Sequence, residues 1–411
     1  MKSLSDWLDY IESLHPANID LTLDRCLQVA KVLGLTQFDS KVITVAGTNG
    51  KGSTVAFMES LVAREGFSVA AYTSPHIIDF NERLRFNQVN IDDQYWVDAF
   101  NQVENARSDI TLTYFEYTTL AALVIIKHLR PDVILLEVGL GGRLDTVNIV
   151  DNDVAVITSI GFDHQDYLGD TLDSIAREKA GIANTAELVI YADQEVENLC
   201  RRHIHSANQQ FNASSYLVDE FASDITELAT QQVLIHPTNF AAALTTYKQL
   251  FRAPSLPIVT DALDSMVLKG RWMKANEQLN IWLDVAHNEQ AIDFLFGKIE
   301  RTHFARWHAI CGFLQDKSVE KSLANLSDKM TSWLTLSTEG PRGLTASKLA
   351  MQLNQQSITD VTMAATDTDI IDWLAERIGE DEAIVVFGSF LVVSAIMKLL
   401  KTSYAREKLL N

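Results

Sequence analysis

The sequence predicts an α/β protein of two units: a large N-terminal one built on a mostly parallel sheet, and a smaller, Rossmann-like one at the C-terminus. Three observations carry this. Short apolar runs alternate with helical stretches along most of the 411 residues, the pattern of βα units around a parallel sheet. Runs such as Val133 to Leu136 are apolar throughout, as strands buried on both faces must be. Near residue 270 the rhythm breaks and then restarts, and a chain of this length is long for one domain. The expected division is residues 1–275 and 276–411, with the polar stretch Asn276 to Asn280 as linker.

In order, Ser5 to Leu14 has the helical spacing of Trp7, Leu8, Ile11 and Leu14. Asp20 to Leu33 repeats it and stops at Gly34, a C-cap residue. Next comes KVITVAGTNGKGSTVAFMESLV, Lys41 to Val62. It reads as a β-branched strand (Val42 to Val45), a glycine-rich turn and a helix beginning near Ser53 or Thr54. A strand running through such a turn into a helix aims several backbone N–H groups, and the positive end of the helix dipole, at one spot. Gly47, Gly50 and Gly52 let the backbone come close to a ligand. Lys51 adds a charge suited to phosphate oxygens, and Ser53 or Thr54 a hydroxyl suited to Mg²⁺. The stretch departs from the usual phosphate-loop pattern, which wants Gly-Lys followed directly by Ser or Thr and an earlier Gly where Val45 stands. We read it as a variant nucleotide-phosphate loop, which makes the N-terminal unit a P-loop-type ATPase domain.

Val69 to Tyr72 is a second strand, followed by Thr73, Ser74, His76, Arg83 and Arg85 past its C-terminal end, where parallel sheets bind ligands. Ile91 to Ala106 and Leu112 to Leu129 read as helices, the second with Glu116 among apolar neighbours, a position that demands a partner. The buried strand Val133 to Leu136 ends in Glu137, a carboxylate placed to hold Mg²⁺ beside a phosphate loop. Gly139, Gly141, Gly142, Arg143 and Asp145 follow. Val154 to Ser159 is another buried strand, ending in Gly161, Asp163 and His164, and His164 lies where a site residue would. Leu172 to Ile182 reads as a helix in which Arg177, Glu178 and Lys179 would by themselves be a solvated face. Leu188 to Tyr191 is a strand, Asn198 to Ile235 reads as short strands with loops, and His236 to Leu250 as a helix. After a helical turn at Asp261 to Val267 and a bend at Gly270-Arg271-Trp272, the C-terminal unit has strands at Ile281 to Val285, Ala309 to Phe313, Ser332 to Leu336 and Ala383 to Phe387. A helix from Phe390 to Leu400 closes it, with a solvated tail beyond.

Composition limits the function classes. Hydrophobic content of 47% and charged content of 21% describe an ordinary globular protein. A net charge of −20 disfavours an extended nucleic-acid surface, so bound anions must be met locally, by Lys51, Arg83, Arg85, Arg143 and Arg271. Cys26, Cys200 and Cys311 are far apart and form no metal-type or redox-type pair, which suits a reducing compartment. The N-terminal stretch lacks a secretory core, and no apolar run reaches the ~20 residues that span a bilayer. The expected location is the cytoplasm, without nucleic-acid or membrane partners.

The ordered set GTNGKGST, TSPH with NERLRFN, LTYFEYTTLAAL, LLEVGLGGRLDTVN, TSIGFDHQDYLG, IAREKAGI, GRW, LDVAHN and FGSF resembles the ATP-dependent amide ligases that attach glutamate to folates. The resemblance is to bacterial folylpolyglutamate synthase/dihydrofolate synthase, within the Mur ligase superfamily, and spans almost the whole chain, from near Asp20 to Phe390. It implies that Thr48, Asn49, Gly50 and Lys51, with Gly52 and Ser53, hold ATP phosphates, and that Asn239, Arg271, Asp284 and His287 contact the nucleotide. It implies Mg²⁺, two ions, at Ser74, Glu137, His164 and a carbamylated Lys179, and a pterin region at Thr113, Tyr114, Phe115, Glu116, Leu144 and Asp145. Lys51, Lys179 and His164 are the implied catalytic residues.

The implied reaction phosphorylates a carboxylate from ATP to an acyl phosphate, which the amino group of L-glutamate then attacks. The implied carboxylate substrates are dihydropteroate and reduced folates, and the implied state is a monomer. Closure about Gly270 to Asn280 is expected to exclude water from the acyl phosphate. A cell-wall Mur ligase shares fold and chemistry, but the FEY-containing helix and IDLTLDR resemble the folate enzymes. A GTPase is disfavoured because DYLG has no N-K-x-D companion, and a non-catalytic ATP-binding module would not need Glu137, His164 and Lys179 together.

Overall fold

The computed structural model describes residues 2–15, 19–221, 223–231, 234–317, 323–324, 326, 328–340 and 342–410. The chain divides into two compact units, Met1–Val267 and Leu268–Asn411. The expected boundary at 275/276 therefore falls inside the second unit. Residues 276–280 are no linker: they lie in a β-hairpin, Leu279 pairing with Asn276 across it.

In the first unit, β1 (Lys41–Ala46), β2 (Val69–Tyr72), β3 (Leu84–Phe86), β4 (Val89–Asn90), β5 (Val133–Glu137), β6 (Val154–Ile157), β7 (Leu188–Tyr191) and β8 (Gln209–Asn212) form one sheet. Its order is β4-β3-β2-β5-β1-β6-β7-β8. The pairs β1–β5, β1–β6, β2–β5, β6–β7 and β7–β8 are parallel, and β3 alone runs against the rest, antiparallel to both β2 and β4. The central strands are β-branched and apolar because both faces are covered. Ile134 and Leu136 pack on one face with Leu120, Leu123 and Ile126 of the helix Tyr114–Leu129. Ile43, Val45 and Leu135 pack on the other with Phe57 of the helix Lys51–Arg64 and Phe240 of the helix Pro237–Leu250. Phe57 and Phe240 stack with ring centroids 4.8 Å apart. Each fully buried Leu, Ile or Phe contributes about 1.5–3 kcal/mol relative to exposure.

The second unit holds β9 (Met273–Asn276), β10 (Leu279–Leu283), β11 (Arg306–Cys311), β12 (Met330–Thr335), β13 (Val361–Met363) and β14 (Glu382–Phe387) in the order β13-β12-β11-β14-β10-β9. All its pairs are parallel except β9 with β10. A mixed α/β unit of this kind fits the Rossmann-like expectation.

Local departures from the expected elements have physical causes. The helix after the phosphate loop begins at Lys51, not at Ser53 or Thr54, because Gly50 at φ 85° already turns the chain. The stretch expected as short strands and loops is mainly the helices Ala213–Glu220 and Ser223–Gln231 after β8, with residues 222 and 232–233 outside the described residues. Asn212 caps the first of them by accepting from Ser215 N, a local signal that polar composition hid. The tail is not simply solvated: Ser403–Leu410 is a helix with Ala405 buried.

Candidate active site

Parallel pairing aligns the C-terminal ends of β2, β5, β1 and β6, and the candidate residues emerge there. In register, Val45 of β1 faces Glu137 of β5 on one side and Val156 of β6 on the other. The phosphate loop therefore leaves the sheet between Glu137 and the segment that follows β6.

The loop is laced to that segment. Thr48 N donates to Ser159 O at 2.9 Å, and Asn49 N to Ser159 Oγ at 2.8 Å. Thr158 Oγ1 donates to Asn49 O at 2.7 Å, and Gly161 N donates to Thr48 Oγ1 at 3.0 Å. A Cβ on Gly47 would lie 3.1 Å from Thr158 Cβ and overlap its hydroxyl, so this crossing requires glycine. Thr158 and Ser159 were quoted in the sequence only as part of a motif; their side chains set the loop's shape.

Gly50 caps the helix without any side-chain hydrogen bond to its first turn, so the cap itself fills none of the backbone donors that suit an anion. A Cβ on Gly50 would come within 2.6 Å of Asn239 Cγ, which places Asn239 directly against the loop. Lys51 Nζ folds back over it, donating to Gly47 O at 2.9 Å and lying 3.2 Å from Thr48 O. Ser53 Oγ donates to Gly50 O at 3.0 Å. Thr54 is fully buried and bonds the same carbonyl, which removes it as an alternative metal ligand.

Glu137 accepts from Ser74 N at 3.1 Å through Oε2, and Gly52 passes so close that a Cβ there would sit 3.5 Å from Oε1. A carboxylate, a serine and the first turn of the helix thus meet on one side of the loop. His164 begins the short helix Gln165–Leu168 in a left-handed conformation, φ 52°, and Asp163 Oδ1 accepts its backbone N–H at 2.8 Å.

Lys179 reaches the loop from the helix Leu172–Ala180. The solvated-face reading fails here: the side chain is buried, with Nζ donating to Gly47 O at 3.1 Å. Burial, with the neighbouring charge of Lys51, lowers its pKa to about 7. Close approach of this helix depends on glycine, since a Cβ on Gly142 would meet Glu178 O at 2.8 Å and Lys179 Cα at 3.1 Å. Arg143 bonds Glu178 through both backbone and guanidinium, at 2.7 and 2.8 Å.

The pterin candidates form a second cluster. Thr113 and Glu116 make a reciprocal capping box at the start of the helix Tyr114–Leu129. The partner that buried Glu116 demands is Arg25, whose Nη2 lies 3.0 and 3.2 Å from the two carboxylate oxygens. Phe115 packs on Gly139, where a Cβ would lie 2.8 Å from its ring carbon Cε2. Asp145 is buried and accepts from Leu140 N and Val147 N; burial pushes its carboxyl up to about 6. Leu144 beside it is half-buried.

Two nominated cations are engaged elsewhere. Arg85 forms a buried pair with Glu59 at 2.8 Å, and Arg143 is paired with Glu178. In the second unit, Arg271 lies against Phe390, 5.7 Å from its ring centroid, and His287 lies 6.3 Å from the same ring. Asp284 is buried and turned inward, bonded to Trp272 N, Ala286 N and Lys298 Nζ.

Among the described residues, no three His, Cys, Asp or Glu side chains form a group able to hold a metal ion by themselves. The donors present still fit a hard divalent cation that takes one carboxylate, a hydroxyl, and further oxygens from phosphate and water. Glu137 and Ser74 offer that set beside the phosphate loop.

Laced glycine loop, buried lysine and strand-end carboxylate define a nucleotide-phosphate site on an α/β unit. The Mur ligase middle domain matches residues 45–249, and the Mur ligase glutamate ligase domain matches residues 270–390. The dihydrofolate synthase/folylpolyglutamate synthase of Escherichia coli (strain K12) is 36% identical over 409 residues, covering 97% of this chain and 95% of its own. Among solved structures, E. coli FolC in complex with DHPP and ADP superposes with a TM-score of 0.86 at 33% identity, covering 97% of this chain and 98% of that one. A bifunctional folylpolyglutamate synthase/dihydrofolate synthase from Yersinia pestis, complexed with AMPPNP and Mn ion, gives 0.85 at 32% identity, with 98% and 99% covered. The chain belongs to the Mur ligase superfamily and, within it, to the dihydrofolate synthase/folylpolyglutamate synthase family.

Proposed function

We propose that this protein is an ATP-dependent ligase that joins L-glutamate to dihydropteroate, forming dihydrofolate, and to reduced folates, forming folylpolyglutamates. The observation that carries the reading is the convergence of Lys51, Lys179 and the loop 47–50, with Glu137 alongside, in a chain related over its full length to enzymes of that name.

A carboxylate is a poor acyl donor, so the γ-phosphate of ATP is transferred to it first, releasing ADP. The glutamate amino group then attacks the acyl phosphate carbon, and the tetrahedral intermediate expels phosphate. Phosphoryl transfer needs positioning and neutralisation of charge more than covalent help. Thr48 and Asn49 hold the loop in shape through Ser159, the amides at the start of the helix that follows orient the phosphates, and Lys51 meets their charge. Asn239, wedged against Gly50, contacts the nucleotide, and Ser53 completes the loop's polar lining. Thr113 to Glu116, with Leu144 and Asp145, hold the pterin.

Ser74, Glu137 and His164 would hold Mg²⁺, which polarises phosphate oxygens when bound. Lys179 is proposed to be carbamylated. An amine with a pKa of about 7 is substantially neutral at physiological pH, so its lone pair can add to carbon dioxide with loss of a proton. The carbamate then presents a carboxylate where a bare ammonium would be repelled by Lys51. Arg271 and His287 are proposed nucleotide contacts of the second unit. A cytoplasmic monomer is the proposed setting; the three cysteines are free and buried, which suits a reducing compartment.

The test is ADP release by purified protein with Mg²⁺ and L-glutamate, offering dihydropteroate and a tetrahydrofolate separately and weighing the products. Turnover of both, each gaining one glutamyl residue, is the expected result. Turnover of the tetrahydrofolate alone removes the dihydrofolate synthase activity, and turnover of neither refutes the proposal.

A further inference from the structure

Arg83 is only 7% exposed, and a guanidinium taken that far out of water ordinarily faces a carboxylate. Neighbouring arginines obey this: Arg25 faces Glu116, Arg85 faces Glu59 and Arg107 faces Glu104. Arg83 has no ion-pair partner among the described residues. Its Nε donates to His76 Nδ1 at 2.9 Å, and its Nη1 and Nη2 make no hydrogen bond to any described residue.

The fork is nonetheless held still. Its Cζ lies 5.5 Å from the Tyr114 ring centroid and 5.7 Å from that of Phe80, faces that attract a guanidinium. Phe80 packs in turn on Trp96, with centroids 4.6 Å apart. The turn after His76 is folded around Glu82, whose carboxylate accepts from Ile77 N, Ile78 N and Asp79 N at 2.8, 3.3 and 3.2 Å. Arg83 O accepts from Thr73 N at 2.8 Å, one residue before Ser74, whose own N–H goes to Glu137. Arg83 therefore stands between the loop that carries Ser74 and His76 and the ring of Tyr114.

A buried, oriented and unpaired fork suits a planar anion, and a carboxylate matches it bidentately. The two acceptors of the proposed reaction differ in the anions they bring. Dihydropteroate ends in a single carboxylate, the one that reacts. A reduced folate ends in a glutamyl residue with two carboxylates, so one reacts and the other remains a charge to be met. We propose that Arg83, oriented by His76, binds this non-reacting carboxylate and is the residue that admits a glutamylated acceptor. This rests on the proposed ligase reading and names the group that tells its two acceptors apart.

The experiment measures kcat and KM for dihydropteroate, a tetrahydrofolate and ATP, with Kd for each acceptor by titration calorimetry, in full-length wild type, R83Q and R83K. R83Q is expected to raise KM and Kd for the tetrahydrofolate about 10–100-fold, the range for losing a charge-assisted hydrogen-bonded pair, with dihydropteroate and ATP little changed. R83K, which keeps the charge but not the fork, should fall between wild type and R83Q. Both acceptors are read on the same sample, so partial unfolding lowers kcat for both together and leaves the ratio of their KM values intact. Equal losses for both acceptors would make Arg83 a structural residue or a contact of the reacting carboxylate, and would overturn the inference. Unchanged tetrahydrofolate affinity, or a rise confined to the ATP KM, overturns it as well. A wild type that neither binds nor turns over the tetrahydrofolate removes the reading beneath it.

Discussion

Gly50→Ala tests whether the phosphate loop is built as described. Gly50 sits at φ 85°, and a left-handed backbone costs an L-residue about 1–2 kcal/mol. The added Cβ would lie 2.6 Å from Asn239 Cγ and 2.7 Å from Oδ1, against about 3.5–4.0 Å for an ordinary contact. The amide nitrogen Nδ2 would lie closer still, so Asn239 must retreat by more than about 1 Å. It cannot do so freely, because the next residue, Phe240, is stacked on Phe57 beneath the same loop. Overpacking of this kind costs about 1–3 kcal/mol, so the whole penalty is about 2–5 kcal/mol. For a unit of this size that lowers the thermal midpoint by about 4–15 °C, read by calorimetry.

The companion is the double variant with Asn239→Ala, which removes the three atoms nearest the new methyl. It should be more stable than the two single effects added together by about 1–3 kcal/mol, leaving only the backbone part. Additive effects, or a Gly50→Ala protein as stable as wild type, would refute the geometry.

Gly52→Ala should behave oppositely: no positive φ opposes it, its Cβ meets Glu137 at an ordinary 3.5 Å, and alanine is favoured over glycine in a helix by about 1 kcal/mol. The expected protein is at least as stable as wild type in a melt, yet about 10–100-fold slower in ADP release because a methyl covers the carboxylate. Arg85→Met leaves Glu59 buried and unpaired, so it should lose about 3–5 kcal/mol in calorimetry while the folded fraction keeps its ATP KM. Asp145 carries a carboxyl raised by burial from 3.8 to about 6. Its favourable contribution is present below about pH 4 and is lost as pH rises through about 6. Relative to Asp145→Asn, wild type should therefore gain about 1 kcal/mol between pH 8 and pH 5, and a stability gap independent of pH would refute this.

Strand positions were legible because burial on both faces leaves no choice of composition: Val69–Tyr72 and Leu188–Tyr191 fall where the apolar runs stand. Glu137 and His164 were legible as polar residues at the ends of such runs. Lys179 was not, because in Arg177-Glu178-Lys179 nothing local separates a buried lysine from exposed neighbours. Its burial follows from Gly142 and Gly181, which admit the helix to within backbone distance of the 142–143 segment, and that pairing spans far too much sequence for any local pattern. Arg25 with Glu116 is the same case: the need for a partner was local, but its identity lay 91 residues away. The hairpin β3–β4 and the helices after β8 were hidden by polar composition, which reports exposure and says little about backbone.

The charge balance decides how an acidic protein of net charge −20 handles triphosphate. Of the cations the sequence offered in the first unit, Arg85 and Arg143 are committed to Glu59 and Glu178. Arg83 bonds His76 at 2.9 Å and lies over Tyr114, one of the residues proposed for the pterin. Lys179, the other lysine at the loop, carries little more than half its charge or less near neutral pH, because burial and Lys51 suppress it. Lys51 and the oriented amides of the helix start are thus what the first unit itself would set against the phosphates, and amide dipoles supply only about half a unit charge. A single lysine and half a charge fall well short of a triphosphate. That shortfall supports the proposed role of Glu137, to which Ser74 N donates: a carboxylate is useless to phosphate directly, and its position, with the serine hydroxyl beside it, makes sense as the protein's side of a bridge to a divalent cation.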